Sequence, residues 1–274
     1  FLDNNLRPDG RKFIQSRILK VSLNGLNNYE VSSNVRLGNT SVACGLKWGI
    51  SQCSEKPRVD ELFQINFEIS KESQMISDIE ILERQTRSVK KSLSVALCAL
   101  FKEHIEEFII EENLKLKTIE HWVIIVDIVC LSKDGNLTDT ILTGVMCLLG
   151  KLQFPVLEKD TDGEYVIDDG ALSSKSLKLG KTVYSFTFAI VGGCHIIYDP
   201  NHNEEASANC TFSVSIMKPT DEILVEKVSG QSLKVNLMQE AITIARNLVD
   251  KTALPDLYAN IGQIQNFSDT LSLQ

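Results

Sequence analysis

The sequence predicts a mixed α/β (α+β) protein built from two similar halves, each a β-sheet backed by helices. Three observations support this prediction. Apolar residues alternate with polar ones in some segments, which is typical of strands, and recur at helical spacing in others. The segments follow the order strands, helix, strand, helix, strands, helix. A chain of 274 residues is long enough for both halves to share one compact unit.

The first half is predicted to begin with a strand and a hairpin, because a Gly-Asn turn separates two alternating arms. A further strand, two helices, an apolar strand and a third helix follow, and a polar stretch rich in Gly, Ser and Asp comes after them. The predicted elements are strands over 17–50 with a turn at Gly38-Asn39, a strand at 62–69, a helix at 79–100, a short helix near 102–110, a strand at 123–131 with the exit turn Asp134-Gly135-Asn136, and a helix at 138–151. The β-branched run at 123–131 indicates a strand buried on both faces.

The second half is predicted to contain four strands and a final amphipathic helix. The strands are expected at 183–191, 194–198, 211–217 and 223–227, and the helix at 232–252. The predicted domain organisation is an N-terminal half at 1–155, a flexible connecting loop at 156–182, a C-terminal half at 183–252 and a tail at 253–274.

Composition narrows the class of protein. Hydrophobic residues make up 43% and charged residues 23% of the chain, which is typical of a globular protein without a membrane span. No signal peptide is visible at the N-terminus. Seven singly spread cysteines favour a reducing compartment over a disulfide framework. The net charge of −8 argues against strong RNA binding by the isolated chain, although one local basic face is compatible with RNA contact.

Two short blocks near the N-terminus carry the most specific signal. Arg7-Pro8-Asp9-Gly10-Arg11 favours a turn flanked by exposed arginines, and the segment 35–45 contains the hairpin turn. In order and spacing these blocks resemble the opening of RNase PH-like proteins, particularly the ring subunits of the RNA exosome. The resemblance implies an RNase PH-like fold with two halves of the ribosomal protein S5 domain 2 type.

The resemblance also implies where a phosphorolytic site would lie. Active members cleave RNA from its 3′ end with inorganic phosphate, which a Gly-Thr/Ser-Arg element binds at a helix start. This sequence instead has Asn136, Leu137, Thr138 and Asp139 there, and no arginine from residue 88 to residue 245. We expect Asp139 to place a negative charge where phosphate needs a positive one.

The acid that active members use is missing as well. The resemblance places it just before the strand at 183–191, yet the interval 170–198 contains no Asp or Glu. We therefore predict no catalytic residue, a pseudoenzyme of the RNase PH family and no cofactor.

The stretches 135–139 and 199–205 resemble the catalytically silent ring subunits of the eukaryotic exosome. That branch implies a hetero-oligomeric ring with other RNase PH-like subunits, cap proteins on one face, RNA in the channel and separately bound hydrolytic nucleases. It also implies a location in the nucleus, including the nucleolus, and in the cytoplasm. Glu204 and Glu205 are expected at the surface or in a subunit contact.

The alternatives to a silent ring subunit are an active phosphate-dependent 3′–5′ exoribonuclease, a subunit lending RNA-binding residues to a composite site, or an unrelated α/β interaction module.

A basic group lies on one side of the predicted first helix and comprises Arg84, Arg87, Lys90 and Lys91. Two interpretations stay open. The group forms a solvated face with Glu80 and Glu83 as ion-pair partners, or it contacts the RNA backbone, since the resemblance places an RNA-facing helix here. Arg36 and Lys47, in the hairpin, are weaker RNA-binding candidates.

Two further groups of polar residues have structural interpretations. Asp127 lies inside an apolar run, where a carboxylate needs partners, so we expect it to be hydrogen-bonded. Cys194, His195, His202 and Cys210 match no usual zinc-ligand spacing, and we expect no metal site.

Overall fold

The computed structural model describes residues 6–23, 25–70, 79–113, 118–160, 165–251 and 271–273. They form two main β-sheets and a two-stranded ribbon. In chain order the elements are β1 (Leu19–Leu23), β2 (Val31–Leu37), β3 (Thr40–Cys53), β4 (Phe63–Ile69), α1 (Ile79–Phe101), β5 (Ile109–Asn113), β6 (Thr118–Ser132), α2 (Leu137–Leu149), β7 (Gln153–Lys159), β8 (Tyr165–Ser176), β9 (Thr182–Val191), β10 (His195–Tyr198), α3 (His202–Ser207), β11 (Cys210–Lys218), β12 (Glu222–Gly230), α4 (Val235–Lys251) and β13 (Leu271–Leu273). No helix among the described residues is long and apolar enough to cross a bilayer.

The N-terminal sheet has the strand order β13-β1-β2-β3-β6-β4, and β5 also pairs with β6. The predicted hairpin is confirmed as β2 and β3, and its turn contains Gly38 in the left-handed region at φ 59°. The predicted fourth strand is confirmed as β4, which runs parallel to β6, whereas the other pairs in this sheet are antiparallel.

The long strand β6 is buried on one face only. Ile124, Val126 and Ile128 are fully buried, while the residues between them, including Ile125 and Asp127, are half-exposed. The prediction of a strand buried on both faces was wrong, because β-branched residues favour any pleated surface and do not reveal how many faces are covered.

The C-terminal sheet has the order β10-β9-β11-β12, with every pair antiparallel. Helix α2 lies between the sheets, packing on β2 and β3 on one side and on β9 on the other. All of its residues are buried, and Gly144 allows the close approach because a Cβ there would lie 2.9 Å from the Cys44 sulfur. One continuous apolar cluster spans both sheets, so the prediction of two sheet-plus-helix halves in one compact unit is confirmed.

Three regions differ from the predictions. The segment near 102–110 is a 3₁₀ turn (Ile105–Phe108) leading into β5, rather than a helix. The connecting loop predicted at 156–182 is largely the antiparallel ribbon of β7 and β8, whose backbone pairing does not require an apolar pattern. Helix α3 was not predicted.

The predicted tail at 253–274 lies mostly outside the described residues. Its described part, Leu271–Leu273, is β13, which pairs with β1 at the edge of the N-terminal sheet.

Candidate functional site

The candidate site is the turn that leads from β6 into α2, where the phosphate-binding element of active relatives is expected. Gly135 and Asn136 both adopt left-handed backbone conformations, at φ 75° and 52°. A Cβ on Gly135 would lie 2.6 Å from the Pro200 carbonyl oxygen, so only glycine fits against this backbone. The turn is therefore pressed directly against the segment that follows β10.

Asn136 is directed towards the acidic residues of that segment. Its side-chain Nδ2 donates to Asp199 Oδ1 at 2.7 Å, and its backbone N–H donates to Glu205 Oε1 at 2.7 Å. The Asn136 side chain makes no capping hydrogen bond to α2. The first residue of the degenerate site thus serves as a link between the two halves.

Asp139 is fully buried and faces β9. Its carboxylate accepts hydrogen bonds from Ser185 Oγ at 2.8 Å, from Thr187 Oγ1 at 2.8 Å and from the Thr187 N–H at 2.7 Å. Burial raises the pKa of Asp139 although these donors act to lower it. We expected Asp139 to place a negative charge in the phosphate position. The structure instead directs the carboxylate into the interface between α2 and β9, where hydroxyl groups donate hydrogen bonds to it.

Thr138 lines a small cavity of about 170 Å³ between α1, α2 and the C-terminal sheet. Lys91 and Glu226 also line it, and Lys91 Nζ lies 3.4 Å from Glu226 Oε1. Leu137 is buried beside Thr138. The lysine is therefore already neutralised by a carboxylate that sequence reasoning missed, since Glu226 comes from β12, far along the chain.

The predicted RNA-binding residues occupy two places. Arg84, Arg87, Lys90 and Lys91 lie on α1, with the two arginines exposed and Lys90 half-buried. Arg36 lies on β2, where its Nε donates to the Gly38 carbonyl oxygen at 2.9 Å.

The ion-pair partners expected on α1 are only partly described. The side chain of Glu80 lies outside the described residues. Among the described side chains Arg84 and Arg87 form no ion pair, and Glu83 does not reach Arg87. The prediction that this face binds RNA stays open.

Asp127 has the hydrogen-bond partners expected of it. It accepts from Asn66 Nδ2 at 2.7 Å, and Lys47 Nζ lies 3.1 Å from its Oδ2. Burial acts to raise the pKa of Asp127, but bonds from Asn66, Lys47 and Tyr29 outweigh it and lower the pKa. Lys47 is thus engaged with a carboxylate and with the Tyr29 ring, 5.5 Å away.

A buried ion network is the main feature that sequence reasoning missed. The Arg7 guanidinium is 1% exposed, pairs with Glu204 and donates to the Tyr198 carbonyl oxygen at 2.8 Å. Arg17 Nη2 lies 2.7 Å from Asp199 Oδ1. The expectation of exposed arginines at this turn was wrong, because acids some 190 positions later in the sequence bind them.

Asp199 is the centre of this network, with 0% exposure and φ 51°. It also accepts from Arg11 Nη1 at 3.0 Å and from the Arg17 N–H at 2.8 Å. Burial acts to raise its pKa, but the bonds and charge of Arg17 outweigh burial and hold the pKa below its usual value.

Glu204 is likewise buried and Glu205 is half-buried, and burial raises the pKa of Glu205. The expectation that the two glutamates lie at the surface or in a subunit contact was wrong, because Arg7 and the Asn136 N–H bind them inside the chain. An Asn201–Glu204 capping box, visible in the sequence, is a signal that could have identified α3.

Metal binding finds no support in the described part of the chain, where no group of three or more His, Cys, Asp and Glu residues has a suitable arrangement. Cys194 is exposed and His195 packs edge-on against Phe13.

Two curated relatives match most of the chain. Exosome complex component Rrp42 of Archaeoglobus fulgidus is 24% identical over 258 residues, covering 91% of this chain and 90% of the relative. Exosome complex component rrp43 of Schizosaccharomyces pombe is 21% identical over 253 residues, covering 90% and 88%.

Solved structures share the architecture. A chain of the Archaeoglobus fulgidus exosome with RNA bound to the active site has a TM-score of 0.65 at 25% identity, covering 91% of this chain and 94% of that one. A chain of an archaeal exosome core has a TM-score of 0.63 at 23% identity, with coverage of 95% and 93%.

Two family models match in succession. Domain 1 of the 3′ exoribonuclease family matches residues 15–155, and domain 2 matches residues 181–247. The chain therefore belongs to the 3′ exoribonuclease (RNase PH) family, with both of the family's domains in one polypeptide.

Proposed function

We propose that the chain is a non-catalytic ring subunit of the eukaryotic RNA exosome, which supports 3′-to-5′ RNA processing and decay, including ribosomal RNA maturation and mRNA turnover. Relatives that match about 90% of its length are exosome components of the 42 and 43 types. Within the silent branch, the opening residues 1–11 favour the type of ribosomal RNA-processing protein 43.

The observation that carries the non-catalytic assignment is the position of Asp139. An anion site at a helix start needs free N–H groups and a guanidinium. Here a fully buried carboxylate occupies the arginine position and binds Ser185 and Thr187 on β9. A cation that lines the adjacent cavity, Lys91, is paired with Glu226. This arrangement supports a site without affinity for inorganic phosphate.

In this role the chain holds the ring geometry and lines part of the RNA path. Its partners are the other RNase PH-like ring subunits, the cap proteins, RNA in the assembled channel and the associated hydrolytic nucleases. The corresponding locations are the nucleus, with the nucleolus, and the cytoplasm.

Affinity purification from the cells of origin tests ring membership. We expect the tagged chain to recover the other RNase PH-like subunits and the cap proteins in near-equal amounts, measured by quantitative mass spectrometry. Recovery of the chain alone, or only with copies of itself, would refute ring membership.

A phosphorolysis assay tests the absence of catalysis. We expect the purified chain, supplied with single-stranded RNA and inorganic phosphate, to release no nucleoside diphosphate above a blank. Phosphate-dependent shortening by this chain would instead establish the alternative, an active 3′–5′ exoribonuclease.

A second candidate function is a composite site, in which α1 lends RNA-binding residues to a neighbouring subunit. It is favoured by Arg84 and Arg87, which are exposed and unpaired among the described side chains. If it operates, replacing both arginines reduces RNA turnover by the assembled ring at saturating phosphate, while ring composition stays constant.

A further inference from the structure

The outer face of the N-terminal sheet carries a row of hydrogen-bond donors that crosses four strands. The register pairs Lys20 of β1 with Arg36 of β2 and Arg36 with Ser41 of β3. After a register shift between Ser41 and Val42, Ser41 is paired with Ser132 of β6. Directly paired residues point to the same face of a sheet. With strands about 4.8 Å apart, this donor row is about 14 Å long.

The donor row is open to solvent. Lys20, Arg36 and Ser132 are exposed and Ser41 is half-buried. The opposite face of the same strands carries the buried Val21 and Val35, so the row lies on the side away from the core.

The two cations of the donor row stand directly opposite each other without a neutralising acid. Among the described side chains neither Lys20 nor Arg36 forms an ion pair. Like charges in directly opposed positions destabilise a sheet. The chain has a net charge of −8, yet no described acid forms an ion pair with either cation. A bound anion would remove the repulsion.

Arg36 is held in a defined orientation. Its Nε donates to the Gly38 carbonyl oxygen, and this hydrogen bond fixes the Nε side of the guanidinium at the hairpin turn. The two terminal nitrogens make no hydrogen bond to other described residues. A guanidinium anchored in this way offers two parallel donors, the geometry that matches a phosphate group.

We propose that this donor row binds the phosphate backbone of single-stranded RNA, as a contact separate from α1; the inference rests on the proposed function. Arginine, lysine and hydroxyl groups are the usual donors to phosphate oxygens. A protein partner is disfavoured because protein interfaces are built on apolar or aromatic centres, and the donor row has no such member.

The test uses the reconstituted ring and a labelled single-stranded oligouridylate. The double variant Lys20→Gln/Arg36→Gln is compared with the unmodified chain by fluorescence anisotropy over a range of salt concentrations. Each phosphate contact to single-stranded RNA contributes about 0.7 to the slope of log affinity against log salt. We expect the slope of the double variant to be shallower by about 1.4, with affinity lowered several-fold at low salt.

Lys56→Gln/Arg58→Gln is the matched control, because it removes the same charge from exposed cations that already have acidic partners, Glu106 and Asp60. We expect its slope to equal that of the unmodified ring. Equal slopes for all three proteins would overturn the proposal.

Two other outcomes would also overturn the proposal. Loss of a protein component from the Lys20→Gln/Arg36→Gln ring, with an unchanged salt slope, would assign the donor row to an acidic protein surface. Failure of the unmodified chain to enter the ring would refute the proposed function and this inference with it. An intact ring whose variant binds RNA normally would instead refute this inference and leave the proposed function standing.

Discussion

At the scale of single residues, Asp139 links the proposed absence of catalysis to the stability of the fold. Burial raises its pKa, so the folded state keeps the proton to a higher pH than the unfolded state, whose pKa is 3.8. Its contribution to stability is complete below the unfolded pKa and is lost as pH rises through the folded pKa. Asp139→Asn removes this titration. We expect the stability of the variant relative to the unmodified protein to increase as the pH rises above the unfolded pKa of Asp139, as measured by thermal unfolding at a series of pH values.

The pH dependence of stability expected for Asp199 is opposite to that expected for Asp139. Burial is outweighed by Arg17, and the folded pKa lies below the unfolded one. Its stabilisation is present above the unfolded pKa and is lost as pH falls through the folded pKa. Asp199→Asn leaves buried arginines without their charge partner, so we expect a loss of about 3 kcal/mol at neutral pH. The same thermal series should show this deficit shrinking in acid, and a deficit that grows in acid would contradict the assignment.

Gly135 tests the close contact between the turn and the segment after β10. Gly10 and Gly135 have similar positive φ values, 83° and 75°, but a Cβ on Gly10 meets open space. Gly10→Ala should cost about 1 kcal/mol from backbone strain alone. Gly135→Ala adds a clash with backbone atoms and should lower the unfolding midpoint much further. Equal unfolding midpoints for the two variants would show that the close contact at Gly135 contributes nothing to stability.

Sequence reasoning proposed the degenerate site but could not give the surroundings of its side chains. Asn136 and Asp139 were identified by comparison with a motif, which says nothing about the direction of a side chain. Their partners, Asp199 and Thr187, lie 63 and 48 positions away. Pairings of this length arise only when α2 is placed between the two sheets, so no local pattern in the sequence could have revealed them.

At the scale of elements, α1 is the predicted RNA-facing helix. Arg84 and Arg87 are one turn apart and project from the same side. Arg84→Gln/Arg87→Gln in the reconstituted ring should reduce the salt dependence of RNA binding by about 1.4 in slope.

A matched control exists for the α1 variant. Lys159→Gln/Lys181→Gln removes the same charge from lysines already paired with Glu111 and Glu103, and should leave RNA binding unchanged. If both variants behave like the unmodified ring, α1 is a solvated face.

Several of the elements that were predicted correctly have a strong period. The hairpin, β4, α1 and α4 each bury one face, and burial of one face imposes a period on the sequence. The ribbon of β7 and β8 was missed because its polar second strand carries no such period. Only the backbone pairing, for example Leu157 with Ile167, defines it.

At the scale of the whole molecule, the two halves behave as one folding unit in our interpretation. Helix α2 belongs to the N-terminal half by sequence, yet its residues pack on β9 and Asp139 is bonded there. The first arginines of the chain bind acids of the C-terminal half. An isolated N-terminal half would therefore expose an apolar helix face and leave buried charges unpaired, each of which costs several kcal/mol.

This argument predicts the behaviour of a chain divided at 161–164, between β7 and β8. We expect the fragments 1–160 and 165–274 to lack cooperative thermal unfolding when expressed separately and to regain it when co-expressed. The reason is that the ion network and the packing of α2 require residues from both fragments. Asp199→Ala in the second fragment is the control, since it removes the centre of the network and should weaken reassociation. An N-terminal fragment that unfolds cooperatively by itself, with a midpoint near that of the intact chain, would mean that the two halves are independent domains.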